Sequence, residues 1–546
     1  MNTSCAPTHK QDAANHFYRK AFRGAGVKNT LRFVRFFILA AMGGLAACAS
    51  LPTDFIRHPS SAFTDTQDTR LGREASKGAV AHPGQSGFLM LPDGLDAFTA
   101  RALLADSAER SIDAQYYLYH NDLIGKLFTW QLVKAADRGV RVRLLVDDME
   151  SRNDLAGTVL DSHPNIEVRL FNPFSRNAGR AFQFLARWGS VTRRMHNKTM
   201  VIDNQAAIVG GRNIGNEYFE ADPDLAFGDL DVLAVGPVAQ ELSTIFDRYW
   251  NSELAYPVSV LKGEPPTEQE IAVGKKDLEN FVAAQIHSEY VQALFHSDLA
   301  KKIENKNLNF EWGEVQVVFD QPEKILHDFK DTRYHLAPML APYLKDLKKE
   351  LILFSPYFVP GEPGTALLTQ LATRGVRVRI LTNSLASNDV GLVHAGYSKY
   401  RKSLLRGGVE LYELNKDLSR EETGAKRRRG GSSKASLHAK SFVFDRDRVF
   451  IGSFNLDPRS LEHNTEIGLV MTAPGIGREM GEWFDRNVAH LAFRLELKTD
   501  AYGFEQLLWH GVEKGNAVVY THEPEVGFWR RLVIGFMSLW PIESQL

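Results

Sequence analysis

The chain places a histidine and a lysine two residues apart, His196 and Lys198, and follows them with Asp203, Gly210 and Asn213. It then repeats the set as His438, Lys440, Asp445, Gly452 and Asn455, every member displaced by 242 residues. A neutral imidazole is a nucleophile or base near neutral pH, and an imidazolium is an acid. Lysine and an asparagine amide can hold non-bridging phosphate oxygens and offset charge that builds in a transition state. In-line displacement at phosphorus needs a nucleophile on one side and an acid beside the leaving oxygen, which a two-fold pair of such motifs would supply. The chemistry that fits is attack on a phosphodiester.

A strand accounts for the spacing. Side chains alternate faces, so His196 and Lys198 project together, as do His438 and Lys440. Asp203 and Asp445 have the other parity and open a polar turn ahead of apolar runs, "AAIV" and "RVFI", so each motif is expected to be a hairpin whose aspartate organises the turn. Two-residue loops at Asn204–Gln205 and Arg446–Asp447 would set Asn213 across from His196 and Asn455 across from His438. A nucleophilic histidine also needs an acceptor on its other ring nitrogen. Asp231 and Glu466 each stand at the head of an apolar strand after a hairpin and are assigned as the orienting carboxylates. Lysine is a poor metal ligand and no second His, Cys or paired carboxylate stands at ligand spacing, so neither metal nor cofactor is expected.

The elements that must carry the hairpins read as helix then strand in "DAFTARALLADSAERSIDAQYYLY", helix in "GKLFTWQLVKAADRG" and strand in "VRVRLLVDD". The order recurs with "APYLKDLKKELILFSPYFVP", "TALLTQLATRG" and "VRVRILTNS", so the chain is an internal duplication of α/β layers.

With 546 residues, 44% hydrophobic, 24% charged and a net charge of -1, the chain is globular and has no overall basic character, which disfavours a nucleic-acid coat. Both cysteines, Cys5 and Cys48, fall in the first fifty residues, which leaves the body without disulfide, thiolate nucleophile or thiolate ligand. Basic residues up to Arg35 precede "FFILAAMGGLAAC", a run short of the ~20 residues of a membrane span, so residues 1–47 read as a signal peptide or as an uncleaved signal anchor. Residues 48–86 lack sustained periodicity and read as a tether or wrapping arm. Residues 87–310 and 311–500 are the two halves, and 501–546 a C-terminal extension. There, Trp529, Leu532, Val533, Phe536 and Trp540 fall at helical spacing beside Arg530 and Arg531, as a core cap or as an interfacial membrane helix. Arg176, Arg180, Arg187, Arg193 and Arg194, and "KRRR" at Lys426–Arg429, are solvated loops or captors of anionic headgroups.

Two copies of H-x-K-x4-D-x6-G-[GS]-x-N resemble the phospholipase D superfamily, over about residues 90 to 500. "GGRNIGNEYF", "GSFNLDPRS" and "QYYLYHNDLIGKLF" are similar to its bacterial cardiolipin synthase branch. The resemblance implies a duplicated phospholipase D fold, two pseudo-twofold related α/β halves with mixed central sheets flanked by helices. It also implies a metal-independent route through a phosphohistidine, with His196 as nucleophile and His438 as proton shuttle. The function expected is transfer of a phosphatidyl group to form cardiolipin. The alternatives are a hydrolytic phospholipase D or another phosphodiesterase of this fold, including a nuclease, and a non-catalytic lipid-binding lipoprotein. The expected partners are phosphatidylglycerol, with phosphatidylethanolamine as a further lipid, and a membrane surface; the expected protein is a monomer. The "LAAC" ending at Cys48 resembles a bacterial lipobox, which implies acylation of Cys48 and attachment in the cell envelope facing the periplasm. Paired N-terminal membrane helices, common in the cardiolipin synthase branch, are replaced here by that segment.

Overall fold

The computed structural model describes residues 50–150, 154–187, 189–222, 225–305, 307–388, 390–416, 434–513 and 515–538. Cys48, residues 1–47, Lys426–Arg429 and Trp540 lie outside them. Residues 174–187 form a separate small unit with a helix at Arg180–Ala186, in which the Arg180 guanidinium lies over the Phe174 ring. Both phosphate-type motifs belong to the large unit, 55–173 and 189–546.

Two mixed sheets organise that unit. In the first, Ser111–Tyr116, Arg141–Asp147 and Ile166–Phe171 run parallel, and the hairpin Thr199–Ile202/Ala206–Gly210 joins antiparallel, followed by Asp231–Val235 and Ser86–Leu91. In the second, Glu350–Phe354, Arg377–Asn383 and Glu410–Leu414 are the parallel strands, and Ser441–Phe444/Arg448–Gly452, Ile467–Thr472 and Val315–Phe319 complete the same order. Helices Leu123–Asp137 and Gly361–Thr373 are the equivalent crossovers. One buried apolar cluster draws Val201, Val209 and Val232 from the first sheet and Ile352, Val443, Ile451 and Leu469 from the second. A shared core, not a linker, therefore fixes one motif relative to the other.

The hairpins differ from the expected register by one residue. The pairs Ile202↔Ala206 and Phe444↔Arg448 leave three-residue loops. Asp203 and Asn204 both take left-handed backbone, φ 50° and 56°, and Asp445 and Arg446 repeat it at 52° and 58°. Asp and Asn enter that region at low cost, which explains the aspartate. Each aspartate also anchors its turn. Asp203 accepts the amides of Glu109, Arg110 and Ser111 at 2.7 to 3.0 Å, and Asp445 those of Lys348, Lys349 and Glu350 at 2.7 to 2.9 Å. Both belong to the H-x-K-x4-D motifs that carry the expected catalysis, and the structure seats them at the far end of the hairpin, holding it to the neighbouring parallel strand.

The arm 55–69 lies on the first half. His58, Ser60 and Ser61 carbonyls accept from Arg169, Arg143 and Arg141, and the Phe63 carbonyl from Asn204. A helix at Arg70–Ala81, capped by Thr69, precedes the first strand. Glu311–Gly313 still belongs to the first sheet, and Glu505–Glu513 and Asn516–Tyr520 extend the second by way of Ala492–Thr499. Among the described residues no helix is long and apolar enough to cross a membrane.

Candidate active site

The two histidines are delivered by matching short parallel contacts between the halves. Met195 bridges Thr465, with the His196 amide donating to the Thr465 carbonyl at 2.9 Å. Lys434–Leu437 pairs with Leu225–Gly228, and the His438 amide donates to the Gly228 carbonyl at 2.8 Å. Each pairing sets a histidine beside the carboxylate that follows in the other half. His196 Nδ1 lies 2.9 Å from Glu466 Oε2, and His438 Nδ1 2.5 Å from Asp229 Oδ2.

Asp229, not Asp231, is the counterpart of Glu466. The Gly211 amide donates to the Leu230 carbonyl where the Ser453 amide donates to that of Ile467, so Asp229 and Glu466 occupy equivalent places and Asp231 corresponds to Gly468. Asp231 is spent elsewhere, on Arg101 at 2.9 Å and Arg212 at 3.4 Å, in a buried ion cluster. The loop after the first hairpin is five residues longer than its counterpart, which is why the fixed offset of 242 does not carry over to the acid.

The lysines are buried with the histidines. Lys198 Nζ donates to the His196 carbonyl at 2.6 Å, and Lys440 Nζ to that of His438 at 2.5 Å while standing 3.0 Å from His438 Nδ1. Tyr117 and Tyr218 set their rings edge-on to His196 and His438, with centroids 5.0 and 5.1 Å away. Asn213 gives its side-chain oxygen to the Leu118 amide at 3.2 Å, and Asn455 is buried with its side-chain oxygen unpartnered.

Burial, then the positive charges of Lys198, Lys440 and His438, hold His196 well below its ordinary value. Burial and Lys440 also lower His438, against the opposing pull of Asp229. Burial pushes Glu466 up to about 7 against the attraction of Lys198 and the hydroxyls of Ser453 and Ser460. For Asp229 burial acts upward too, but the charge and hydrogen bond of His438, with Lys440, outweigh it and leave the group lowered. Burial drives Lys198 well below its ordinary value, against Glu466. These groups perturb one another across the two motifs, so they face a single site.

Residues outside the motif complete it. Asp147 accepts the Met195 amide at 2.8 Å and pairs with Arg194, so Arg194 is buried structure, not a solvated headgroup captor. Arg193 is likewise occupied by the Ile325 and His327 carbonyls. Asn383, at the equivalent strand end, accepts the Leu437 amide and donates to the Leu437 carbonyl, both at 2.9 Å. A single π-helical turn, Arg459–His463, brings Ser460 Oγ within 2.7 Å of Glu466 and places the Arg459 charge near enough to lower His196. His120, Asp122 and Glu217 offer metal-ligating atoms within 4.8 Å of one another. The Glu217 hydrogen bond leads in pushing His120 up to about 9.

A family model described as cardiolipin synthase, phospholipase D-like domain, matches residues 103–250 and again 340–488. The chain belongs to the phospholipase D-like cardiolipin synthase family. It is 39% identical to cardiolipin synthase C of Escherichia coli over 471 residues, covering 85% of this chain and 96% of that one. It is 27% identical to cardiolipin synthase B of Salmonella typhimurium, covering 67% and 71%. The solved phosphatidylserine synthase of Haemophilus influenzae shares the fold at a TM-score of 0.53 and 13% identity, over 87% of this chain and all of that one. The two stretches matched to the family model contain both histidine motifs and both carboxylates, Asp229 and Glu466.

Proposed function

We propose that this member of the cardiolipin synthase family is a phosphatidyltransferase that forms cardiolipin in two displacements at one phosphorus. The observation that carries the reading is the pair of imidazoles, each pinned at Nδ1 by a carboxylate from the opposite half, beside two buried lysines. Pinning at Nδ1 orients Nε2 as the reactive atom. His196, held neutral by its surroundings, attacks the phosphate of phosphatidylglycerol through Nε2. The P–N bond forms, the P–O bond to the glycerol headgroup breaks, and His438 delivers its proton to the departing oxygen. Lys198, Lys440 and the asparagines Asn213 and Asn455 take the non-bridging oxygens. The negative charge of the incoming phosphodiester favours the protonated state of His438 at that moment.

The acyl chains of the phosphatidyl-histidine stay in the bilayer, where the effective concentration of a second lipid hydroxyl is high. His438, now neutral, takes the proton from the glycerol hydroxyl of a second phosphatidylglycerol. Its oxygen bonds to phosphorus, the P–N bond breaks, and His196 is regenerated. Phosphatidylethanolamine serves as a donor by the same steps. Acylation at Cys48 would keep the site at the membrane; Cys48→Ser would then lose fatty-acid label and change migration. Purified protein on phosphatidylglycerol vesicles is expected to release glycerol and accumulate cardiolipin by mass spectrometry. Phosphatidic acid as the dominant product would make the second nucleophile water.

A further inference from the structure

The helix Phe528–Met537 turns its apolar face away from the protein. None of its residues is buried. Phe528, Trp529, Leu532, Val533 and Phe536 are exposed by 62, 74, 53, 49 and 62%. At 100° per residue these five fall within an arc of about 140°. The contacts to the body lie on the other side: Ile534 packs so closely on Gly391 that a Cβ there would meet its Cδ1 at 2.9 Å, and Arg530 donates to the Asn388 carbonyl at 3.1 Å. A surface helix of a globular protein buries its apolar stripe; this one is inverted. Val390 and Leu392, beside the Ile534 contact, are exposed as well and widen the patch.

The helix is linked to the His438 segment through one loop. Asn383 holds the Leu437 backbone, one residue before His438, and the loop 384–388 runs from Asn383 directly to the Asn388 carbonyl that Arg530 grips. We infer that this helix docks the enzyme onto an anionic phospholipid bilayer, its apolar arc in the acyl boundary and Arg531 at the headgroups, so that the membrane meets the site beside the His438 segment. Aromatic side chains on an apolar face with flanking arginines are the composition of an interfacial helix. A second copy of the chain fits less well, because ten residues present a strip of about 15 by 10 Å, far below the ~800 Å² per partner of a stable interface. The docking role rests on the reading of the site as one for membrane-resident lipids.

The test uses the full chain in vesicles of phosphatidylglycerol and phosphatidylethanolamine, with a photoreactive phenylalanine analogue replacing Leu532, Phe536 or Ile534. Cross-linking to acyl chains is expected at Leu532 and Phe536, about 10-fold above Ile534 as the side-on geometry of an interfacial helix requires. Labelling of protein at Leu532 and Phe536, or equal lipid labelling at all three, would overturn the docking. This readout does not depend on turnover, so it separates the docking from the identity of the reaction. In a second arm, Leu532→Glu with Phe536→Glu should slow turnover of vesicle phosphatidylglycerol by about 10-fold through weakened interfacial binding, and leave turnover of monomeric short-chain phosphatidylglycerol unchanged. An equal loss on both substrates would mean the helix only braces the 384–388 loop.

Discussion

The two histidine stations share a backbone plan and differ in charge. In both, a residue at the end of a parallel strand grips the amide just before the histidine, Asp147 at Met195 and Asn383 at Leu437. In both, the orienting acid comes from the opposite half. The acids diverge. Glu466 is held by Ser453 and Ser460 and pushed up to about 7, so its partner His196 sits in a nearly neutral pair. Asp229 takes the place opposite His438, where a side chain at Gly211 would crowd it, with a Cβ 2.2 Å from Asp229 Oδ1, and it stays ionised. A neutral pair suits a nucleophile, and an ionised aspartate suits a histidine that must accept and hold a proton. Duplication supplied the geometry; small side-chain changes behind each ring separate the roles.

The sharpest test of that asymmetry is also the one with the largest effect. His196→Ala and His438→Ala should each lower turnover by about 10⁴-fold on phosphatidylglycerol. A phosphatidyl ester with a nitrophenol leaving group needs no acid, so His438→Ala should still release a burst of nitrophenol while His196→Ala releases none. A burst from His196→Ala instead would reverse the assignment.

Next, Asp229→Asn should cost about 10² to 10³-fold in kcat by disturbing the ring that moves protons. Asp231→Asn should leave kcat nearly intact yet lower stability by about 3–5 kcal/mol, because Arg101 and Arg212 lose a buried counter-charge. Thermal melts beside initial rates separate the two outcomes. Similar rate losses in both variants would undo the equivalence of Asp229 and Glu466.

Glu466→Gln should reduce kcat by about 10²-fold, with a stability signature of opposite sign to that at Asp229. A carboxyl raised to about 7 keeps its proton in the folded state where the unfolded chain has lost it, so its contribution falls as pH rises through that window. The variant should therefore flatten the decline of stability between about pH 5 and 7. Asp229, lowered in the folded state, contributes stability above the ordinary carboxylate range that is lost as pH falls through it. Denaturant melts across pH on Glu466→Gln and Asp229→Asn should show the two slopes moving in opposite directions.

A small effect on rate is expected at the shared aspartates as well. Asp203→Ala strands three backbone amides and should cost about 2–3 kcal/mol, while kcat below the melting range stays within about threefold. A large loss of kcat in protein that is still folded would return Asp203 to the chemistry.

Much of this was legible in the chain. The repeated H-x-K pairs marked the candidate reactive groups, and the recurring helix and strand patterns marked the α/β duplication, because both signals are local and periodic. The turn role of Asp203 was legible too, since Asp-Asn tolerates left-handed backbone; the three-residue loop was not, because one residue of register is decided by both strands pairing at once. Asp231 misled for a related reason. It heads an apolar strand as Glu466 does, but five extra residues in the preceding loop shift the acid that faces the histidine to Asp229. Arg194 read as one of a basic run, and only its buried contact with Asp147 reveals it as a brace.

By itself, then, the sequence determined which side chains have the chemistry to react and that they come in two sets, since residue type and spacing within a hairpin are properties of a few consecutive positions. Which acid serves which histidine was decided only in three dimensions. Glu466 lies 270 residues from His196 and Asp229 209 residues from His438. Such a pairing exists because the two sheets bury one common core and exchange short parallel contacts across it. The pKa differences that divide the labour depend on the same burial, and no local pattern in the chain encodes how deeply a group is removed from water.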